Sequence, residues 1–324
     1  MKKTILSGIR PTGDLHIGHL LGAIDNWNKL QDKYSCYFMV ADLHAITTPF
    51  DKSQIKNTIL ETVGIYLACG IDPKKSILFR QSDIQYHTQL MWYLNCITPF
   101  GELGRMTQFK EKSAKNPESI NAGLWDYPVL MASDILLYNA DIVPVGEDQV
   151  QHVEFARQLA RRFNKKYGQV FKEPKAELTK FKRVMSLSDP NKKMSKTDSP
   201  NSYIALLDSP EDIRKKIGSA VTDTGPSEKM SKAVKNLFDL LESFATDDIY
   251  QRFLKDYENK TLKYSELKPA LADAMVLKLK PIQEKYNDLV KNPDEIWNVI
   301  ESGNTEASKV AEKTYNNAKK AMGL

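Results

Sequence analysis

Thr4-Ile5-Leu6-Ser7-Gly8-Ile9-Arg10-Pro11-Thr12-Gly13-Asp14-Leu15-His16-Ile17-Gly18-His19 runs from an apolar triplet through a glycine-bearing polar turn into the start of a helix. Helical spacing continues over Leu20–Gln31. The succession recurs. Apolar runs at Cys36–Ala41, Ile77–Phe79 and Ile142–Val145 end in Asp42-Leu43-His44, Arg80-Gln81-Ser82-Asp83 and Gly146-Glu147-Asp148-Gln149. Helical patterns follow at Ser53–Cys69, Gln89–Ile97, Val129–Tyr138 and Gln149–Phe163. Strand, polar turn and helix in repetition predict an α/β fold with a parallel sheet and helices on both faces. Ligands bind such sheets in the crevice beyond the carboxyl ends of the strands, where all of these polar endings would gather.

The remaining composition sets limits. The chain has 324 residues, 41% hydrophobic and 27% charged, which suits a globular protein of about two domains. No apolar run approaches the roughly 20 residues that span a bilayer, and the first residues lack the apolar core of a signal peptide. Cys36, Cys69 and Cys96 are odd in number and lack metal-ligand spacing. That predicts a cytoplasmic protein with free thiols and neither an iron–sulfur cluster nor a structural zinc. The overall charge of +5 is uneven. Residues 161–200 hold twelve Lys/Arg against Glu173, Glu177, Asp189 and Asp198, a local net of +8, so the rest nets −3. Such a segment is either a solvated face or a surface that meets phosphate.

Beyond Pro200 the strand signal fades. Glu211–Ile217, Val234–Thr246, Ile249–Tyr257, Ala270–Lys291 and Pro293–Met322 read as helices, with a kink or break expected at Pro281. Ser209-Pro210 and Asn292-Pro293 suit a cap followed by a first helical position. The expected organisation is a Rossmann-like catalytic domain over 1–200, a helical domain over 201–290 and C-terminal helices over 291–324.

Two short motifs carry chemistry. In Pro11-Thr12-Gly13-Asp14-Leu15-His16-Ile17-Gly18-His19 the glycines permit close approach of a ligand, and a helix start attracts phosphate. His16 and His19, three apart, project to one side and can donate hydrogen bonds to phosphate oxygens as charge develops. The plainer reading is a pair of surface histidines. Lys192-Lys193-Met194-Ser195-Lys196-Thr197-Asp198 lies between Pro190 and Pro200 and reads as a loop. Its lysines can close on a leaving pyrophosphate; alone it would pass for a solvated basic loop.

Together, His16-Ile17-Gly18-His19 and Lys193-Met194-Ser195-Lys196-Thr197 resemble the two signature motifs of the class I aminoacyl-tRNA synthetases. Asp134 to Glu154, Gly101 to Ser113 and Val184-Met185-Ser186-Leu187 resemble the bacterial tryptophanyl branch of that class. The resemblance runs from Thr4 to about Thr224 and continues more weakly to Leu324.

The chemistry of Asp134 agrees. Pro128 suits a first helical turn, and Asp134 then shares an apolar helix face with Leu130, Met131 and Tyr138. A carboxylate there needs a donor, and indole has one polar group, which is a donor. A phenylalanine substrate would leave the carboxylate unpaired, and sites of this kind reject such analogues by about 10⁴–10⁵. An exposed Asp134, or one paired with a core cation, is the competing reading.

The resemblance implies that Gly8, His44, Tyr127, Met131, Asp134, Val143, Val145 and Gln149 line a tryptophan pocket, although Met131, Val143 and Val145 also suit plain core. It implies ATP contacts from Arg10, Pro11, Thr12, Gly18, His19, Lys112, Gly146, Glu147, Asp148 and Val184. Lys193, Met194, Ser195, Lys196 and Thr197 would close over the phosphates, with His16, His19, Lys193 and Lys196 as the catalytic groups. Asp148 and Gln151 also fit a helix capping box. Departures are Arg10 where many relatives carry Gln, His16 and His19 where many carry a Thr-Ile-Gly-Asn variant, and Leu6 where an aromatic is common.

The implied reaction joins L-tryptophan to tRNA(Trp) through an adenylate, with ATP as substrate and Mg²⁺ accompanying it. A homodimer formed around residues 90–130 and an anticodon-binding helical domain are also implied, with neither membrane nor DNA as partner. Rival readings are a tyrosyl-tRNA synthetase, a small-molecule nucleotidyltransferase sharing the HxGH signature, and a non-catalytic paralogue that binds RNA.

Overall fold

The computed structural model describes residues 2–11, 13–107, 120–178, 184–196, 198–223 and 229–324. Five parallel strands form one sheet: β1 (Thr4–Ile9), β2 (Ser35–Val40), β3 (Ser76–Arg80), β4 (Ile142–Val145) and β5 (Lys175–Leu178). Their order is β3-β2-β1-β4-β5. The four apolar runs read from sequence are β1 to β4. The fifth strand was not anticipated, because Lys-Ala-Glu-Leu has no buried apolar face; β5 is largely exposed and held by its ladder to β4.

The connecting helices are α1 (Ile17–His19), a π-helical turn over Leu20–Ile24, α2 (Asp25–Leu30), α3 (Asp42–Ala45), α4 (Ile55–Ala68), α5 (Tyr86–Asn95), α6 (Phe100–Leu103), α7 (Ala122–Leu137) and α8 (Val150–Tyr167). Then come α9 (Pro210–Gly218), α10 (Lys232–Phe244), α11 (Asp247–Glu258), α12 (Tyr264–Leu289) and α13 (Pro293–Ala321). The strands β2 and β4 are almost continuously apolar and buried, as strands covered on both faces by helices are. Ile5, Phe38, Val40 and Phe79 are fully buried, and Trp27 stacks on Phe38 at 4.4 Å with Tyr66 edge-on at 5.1 Å.

The strand order reverses between β1 and β4, which is where a doubly wound sheet opens a ligand crevice. The ladder there is one pair deep, Ile5 with Ile142, whereas β1 pairs with β2 along six residues.

The chain forms two compact units that cut across the linear division expected from sequence. The first comprises residues 1–13, 27–179 and 292–324; the second comprises 14–26 and 180–291. The first holds the sheet and, unexpectedly, α13, which packs along edge strand β3. A seam of small residues, Gly303, Ala307, Ala311, Thr314 and Ala318, is buried along one face of α13. At Gly303 the approach is so close that a Cβ would lie 1.7 Å from the Leu78 carbonyl oxygen. The second unit holds α1, the π-helical turn and α9 to α12.

One local expectation is corrected and two others are met in part. Helix α7 starts at Ala122 and is capped by Asn121, whose side chain accepts from Leu124 N–H, so Pro128 lies inside the helix rather than in its first turn. Helix α12 runs unbroken through Pro269 and Pro281. Ser209 and Asn292 stand at the N-cap positions of α9 and α13 with proline following, as expected; Ser209 accepts a capping hydrogen bond and Asn292 does not.

Candidate functional site

In the first unit, Asp134 sits on α7 among residues of its own helix that are almost all buried, and is itself 1% exposed. It is not orphaned. His44 Nε2 bonds its Oδ2 at 2.7 Å, and His87 Nδ1 bonds its Oδ1 at 2.7 Å. Gln81 Nε2 donates to both oxygens, at 2.8 and 3.0 Å. Burial alone would push this carboxyl up, but the hydrogen bonds from His44 and His87 outweigh it and hold it at about 2. His87 is itself fully buried, and its Nε2 meets the Tyr138 hydroxyl at 2.9 Å. Of the two imidazoles only that of His44 has solvent access, its side chain being 12% exposed.

Tyr127, about two helical turns before Asp134, is buried with its hydroxyl 3.1 Å from His152 Nε2. His44 and Tyr127 meet edge to face at 6.3 Å. Val143 and Val145 are buried in β4 within the main apolar cluster, and Met131 packs against that cluster half-buried, so core packing is a sufficient account of these three. Gly8 is exposed on β1, where a Cβ would stand 3.0 Å from the Met39 carbonyl oxygen. Arg10 and the buried Pro11 follow β1, and Gly146, Glu147 and Asp148 lie exposed just after β4. Gln149 is the N-terminal flanking residue of α8 and makes no side-chain cap; the Asp148–Gln151 capping box does not form, and Gln151 Oε1 instead accepts from Thr107 N–H.

In the second unit the HxGH motif forms its own cap. His16 Nδ1 accepts from Gly18 N–H at 3.0 Å, and His19 Nδ1 accepts from His16 N–H at 3.1 Å. The rings stand 4.0 Å apart. An Nδ1 that accepts carries no proton, so a neutral ring must bear it on Nε2. Burial, then the charge of Lys193 and Lys196, pulls His16 down to about 4; burial, then His16 and both lysines, pulls His19 down to about 3. Both are therefore neutral at physiological pH, each offering one Nε2–H donor.

The lysine motif lies on the return arm of a hairpin. Met194 N–H donates to Val184 O at 3.0 Å and Ser186 N–H to Lys192 O at 2.9 Å. Val184 and Met194 are buried, Lys193 is exposed, and Ser195 and Lys196 are half-buried. Asn236 of α10 grips Met185 at both ends, accepting from its N–H and donating to its carbonyl, each at 3.1 Å. Thr12, Lys112 and Thr197 lie outside the described residues.

Gln81, His87 and Asn236 were missed by the sequence reading. Gln81 lies in the polar ending of β3 that the strand pattern had already sent to the crevice; His87 and Asn236 carry no spacing signal, because their partners are 47 and 51 residues away.

A family model described as tRNA synthetases class I (W and Y) matches residues 2–280. The tryptophan–tRNA ligase of Wolinella succinogenes is 44% identical over 326 residues, covering 100% of this chain and 99% of its own. That of Helicobacter pylori is 45% identical over 331 residues, with the same coverages. The chain belongs to the class I tryptophan–tRNA ligases. Its fold is that of the solved ligases. The Mycoplasma pneumoniae tryptophanyl-tRNA synthetase superposes with a TM-score of 0.90 at 36% identity, covering 100% of this chain and 98% of that one. The Campylobacter jejuni enzyme, solved with ADP and tryptophan, gives 0.88 at 34% identity, covering 99% and 100%. Membership favours ligation of tryptophan over the tyrosyl, nucleotidyltransferase and non-catalytic readings. Among the described residues no helix is long and apolar enough to cross a membrane.

Proposed function

We propose that Asp134 is the group that selects tryptophan, and that activation proceeds through an adenylate. The carrying observation is a fully buried carboxylate, held ionised, whose neighbours are all donors. Such a group demands hydrogen-bond donors and offers nothing to a substrate that lacks one. His44 is the imidazole partner with solvent access, so it is the side chain that shares or yields Oδ2 to the indole N–H. Gly8 and Tyr127 border the same pocket, with Gln149 toward the amino acid's polar end; Met131, Val143 and Val145 contribute wall.

In the first step a tryptophan carboxylate oxygen attacks the α-phosphorus of ATP, the bond to the bridging oxygen breaks, and pyrophosphate leaves. In the second, a 3′-terminal ribose hydroxyl of tRNA(Trp) takes the aminoacyl group and AMP leaves. No protein nucleophile is required; positioning and charge stabilisation suffice. His16 and His19 supply Nε2–H donors, and Lys193 and Lys196 supply cations, a donor set that fits phosphate oxygens. Mg²⁺ bound chiefly by the phosphates and water would neutralise charge on the nucleotide. Arg10, Pro11, Gly18, Gly146, Glu147, Asp148 and Val184 are the further nucleotide contacts, with Thr12, Lys112 and Thr197 assigned by resemblance alone.

Three coarser assignments accompany this. The helical domain over 201–290 meets the anticodon, and the basic 161–200 segment contacts other parts of the tRNA. The enzyme works in the cytoplasm. It is a homodimer through the α5–α6 region, where Trp92 and Phe100 are 68% and 75% exposed beside exposed Cys96, an apolar surface that a second copy would cover.

ATP–pyrophosphate exchange without tRNA tests the central claim. Exchange with tryptophan but not tyrosine, reduced in Asp134→Asn by roughly 10- to 150-fold in kcat/KM, is expected from the loss of one charge-assisted hydrogen bond. Exchange by Asp134→Asn within twofold of the parent would remove Asp134 from recognition.

A further inference from the structure

We infer that α13, the last helix, is a positioning element for tryptophan selection, acting through Asn304, Gln81 and Asp134 in turn. The inference rests on the reading of Asp134 given above. Gln81 is fully buried in a one-turn 3₁₀ helix, Gln81–Asp83, at the end of β3. Its amide nitrogen spans both oxygens of Asp134, while its Oε1 accepts from Leu43 N–H at 3.1 Å. Asn304 holds this turn at both ends. Its Oδ1 accepts from Arg80 N–H at 2.8 Å, and its Nδ2 donates to Asp83 Oδ2 at 2.6 Å. The residue gripped on one side directly precedes Gln81, and the one on the other closes its turn.

Gly303 makes the grip possible. Only a residue without a Cβ lets α13 lie against the Leu78 carbonyl, which brings the next side chain within reach of the turn. The same helix steadies the other buried donor. Tyr315 packs on Tyr86 at 5.3 Å and stacks on Tyr93 at 5.4 Å, and its hydroxyl meets that of Tyr93 at 2.9 Å. Tyr86 and Tyr93 flank His87 on α5. Of the two donors closed to solvent, Gln81 thus sits in a turn bonded directly to α13, and His87 lies on a helix that packs on α13 through Tyr86 and Tyr93; α13 itself touches neither Asp134 nor the crevice in any described hydrogen bond. A hydrogen bond to a carboxylate depends steeply on donor angle, so loosening the Gln81 turn costs recognition of the indole N–H specifically.

The test compares tryptophan with β-(benzothiophen-3-yl)alanine, which replaces the indole N–H by sulfur and keeps the ring shape. KM for tryptophan in pyrophosphate exchange and Ki for the analogue are measured for the parent, Asn304→Ala, Asn304→Ser and Asp134→Asn. Their ratio is independent of the fraction of active protein, so a partly unfolded variant cannot imitate the effect. The expected result is that tryptophan's advantage falls about threefold to tenfold in Asn304→Ala, the net worth of one neutral hydrogen bond. It should fall less in Asn304→Ser and more in Asp134→Asn, with KM for ATP unchanged in both Asn304 variants. A ratio that collapses in Asp134→Asn but stays within twofold in both Asn304 variants overturns the role of α13 and leaves Asp134 as the selector. A ratio unmoved in Asp134→Asn overturns the Asp134 reading, and this inference with it.

Discussion

Replacing His87 by Phe keeps an aromatic ring of similar size against Phe79, on which the imidazole stacks at 6.1 Å, and removes both polar contacts of the imidazole. Asp134 Oδ1 loses its 2.7 Å partner, worth about 1.5–3 kcal/mol as a hydrogen bond to a charge. The buried Tyr138 hydroxyl loses its 2.9 Å partner, a further cost of about 1–3 kcal/mol for an orphaned group. The two losses share one network and do not add fully, so about 3–5 kcal/mol is expected. At about 2 °C per kcal/mol for a chain of this length, the melting temperature should drop by about 6–10 °C at pH 7.5 in calorimetry. The pH dependence gives a second reading. In the parent, Asp134 is held at about 2, below the ordinary carboxyl value of about 3.9. Its stabilising contribution is therefore present above about pH 4 and is lost as pH falls toward 2. In His87→Phe the burial cost is less offset and the carboxyl rises. The deficit of the variant is then greatest at neutral pH and narrows at pH 4. A drop under 2 °C at pH 7.5, or a deficit that widens on acidification, refutes this account of the cluster.

Gly303→Ala must lift α13 from β3, since the added carbon would lie 1.7 Å from the Leu78 oxygen; a loss of about 1–3 kcal/mol is expected on overpacking grounds, and an unchanged denaturation midpoint would contradict it. Lys196→Ala should slow adenylate formation more than tenfold in single-turnover assays, and a rate within twofold of the parent removes the lysine from the reaction. His16 is held at about 4 against an ordinary 6.5, so its contribution to stability is full above pH 6.5 and is lost as pH falls through 4. His16→Asn keeps a capping acceptor without that titration and should lose about 3 kcal/mol less than the parent over this interval in urea titrations; parallel curves would sink the assignment. Trp92→Asp with Phe100→Asp should convert a dimer into a monomer in light scattering at micromolar concentration, and a parent that is already monomeric ends the dimer proposal.

Much of the sheet was legible because parallel strands buried on both faces must be continuously apolar. Cys36–Ala41 and Ile142–Val145 declare themselves in this way. Lys175–Leu178 does not, since an exposed edge strand is specified by its neighbour's backbone and not by its own side chains. Proline misled once, at Pro128, which lies six residues inside a helix; at Pro281, where a kink or a break was expected, the helix does not break. At the site, the need of Asp134 for donors follows from its apolar surroundings in sequence, but the identity of the donors does not. His44, Gln81 and His87 lie 90, 53 and 47 residues away, and only tertiary packing brings them together. The capped histidine pair is the opposite case, since its partners are two and three residues apart and their geometry is local.

The seating of α13 on β3 bears on how the chain is made. Leu78 and Gly303 are separated by 225 positions, and at a synthesis rate of about 5–20 residues per second the strand emerges roughly 11–45 s before the helix that covers it. During that interval the rest of the sheet can assemble while β3 presents a bare row of backbone donors and acceptors, a template for pairing with another nascent chain. A message truncated just before the codon for Pro293 would leave that edge open for good. Its product would be prone to aggregate even though every strand and both signature motifs had been translated.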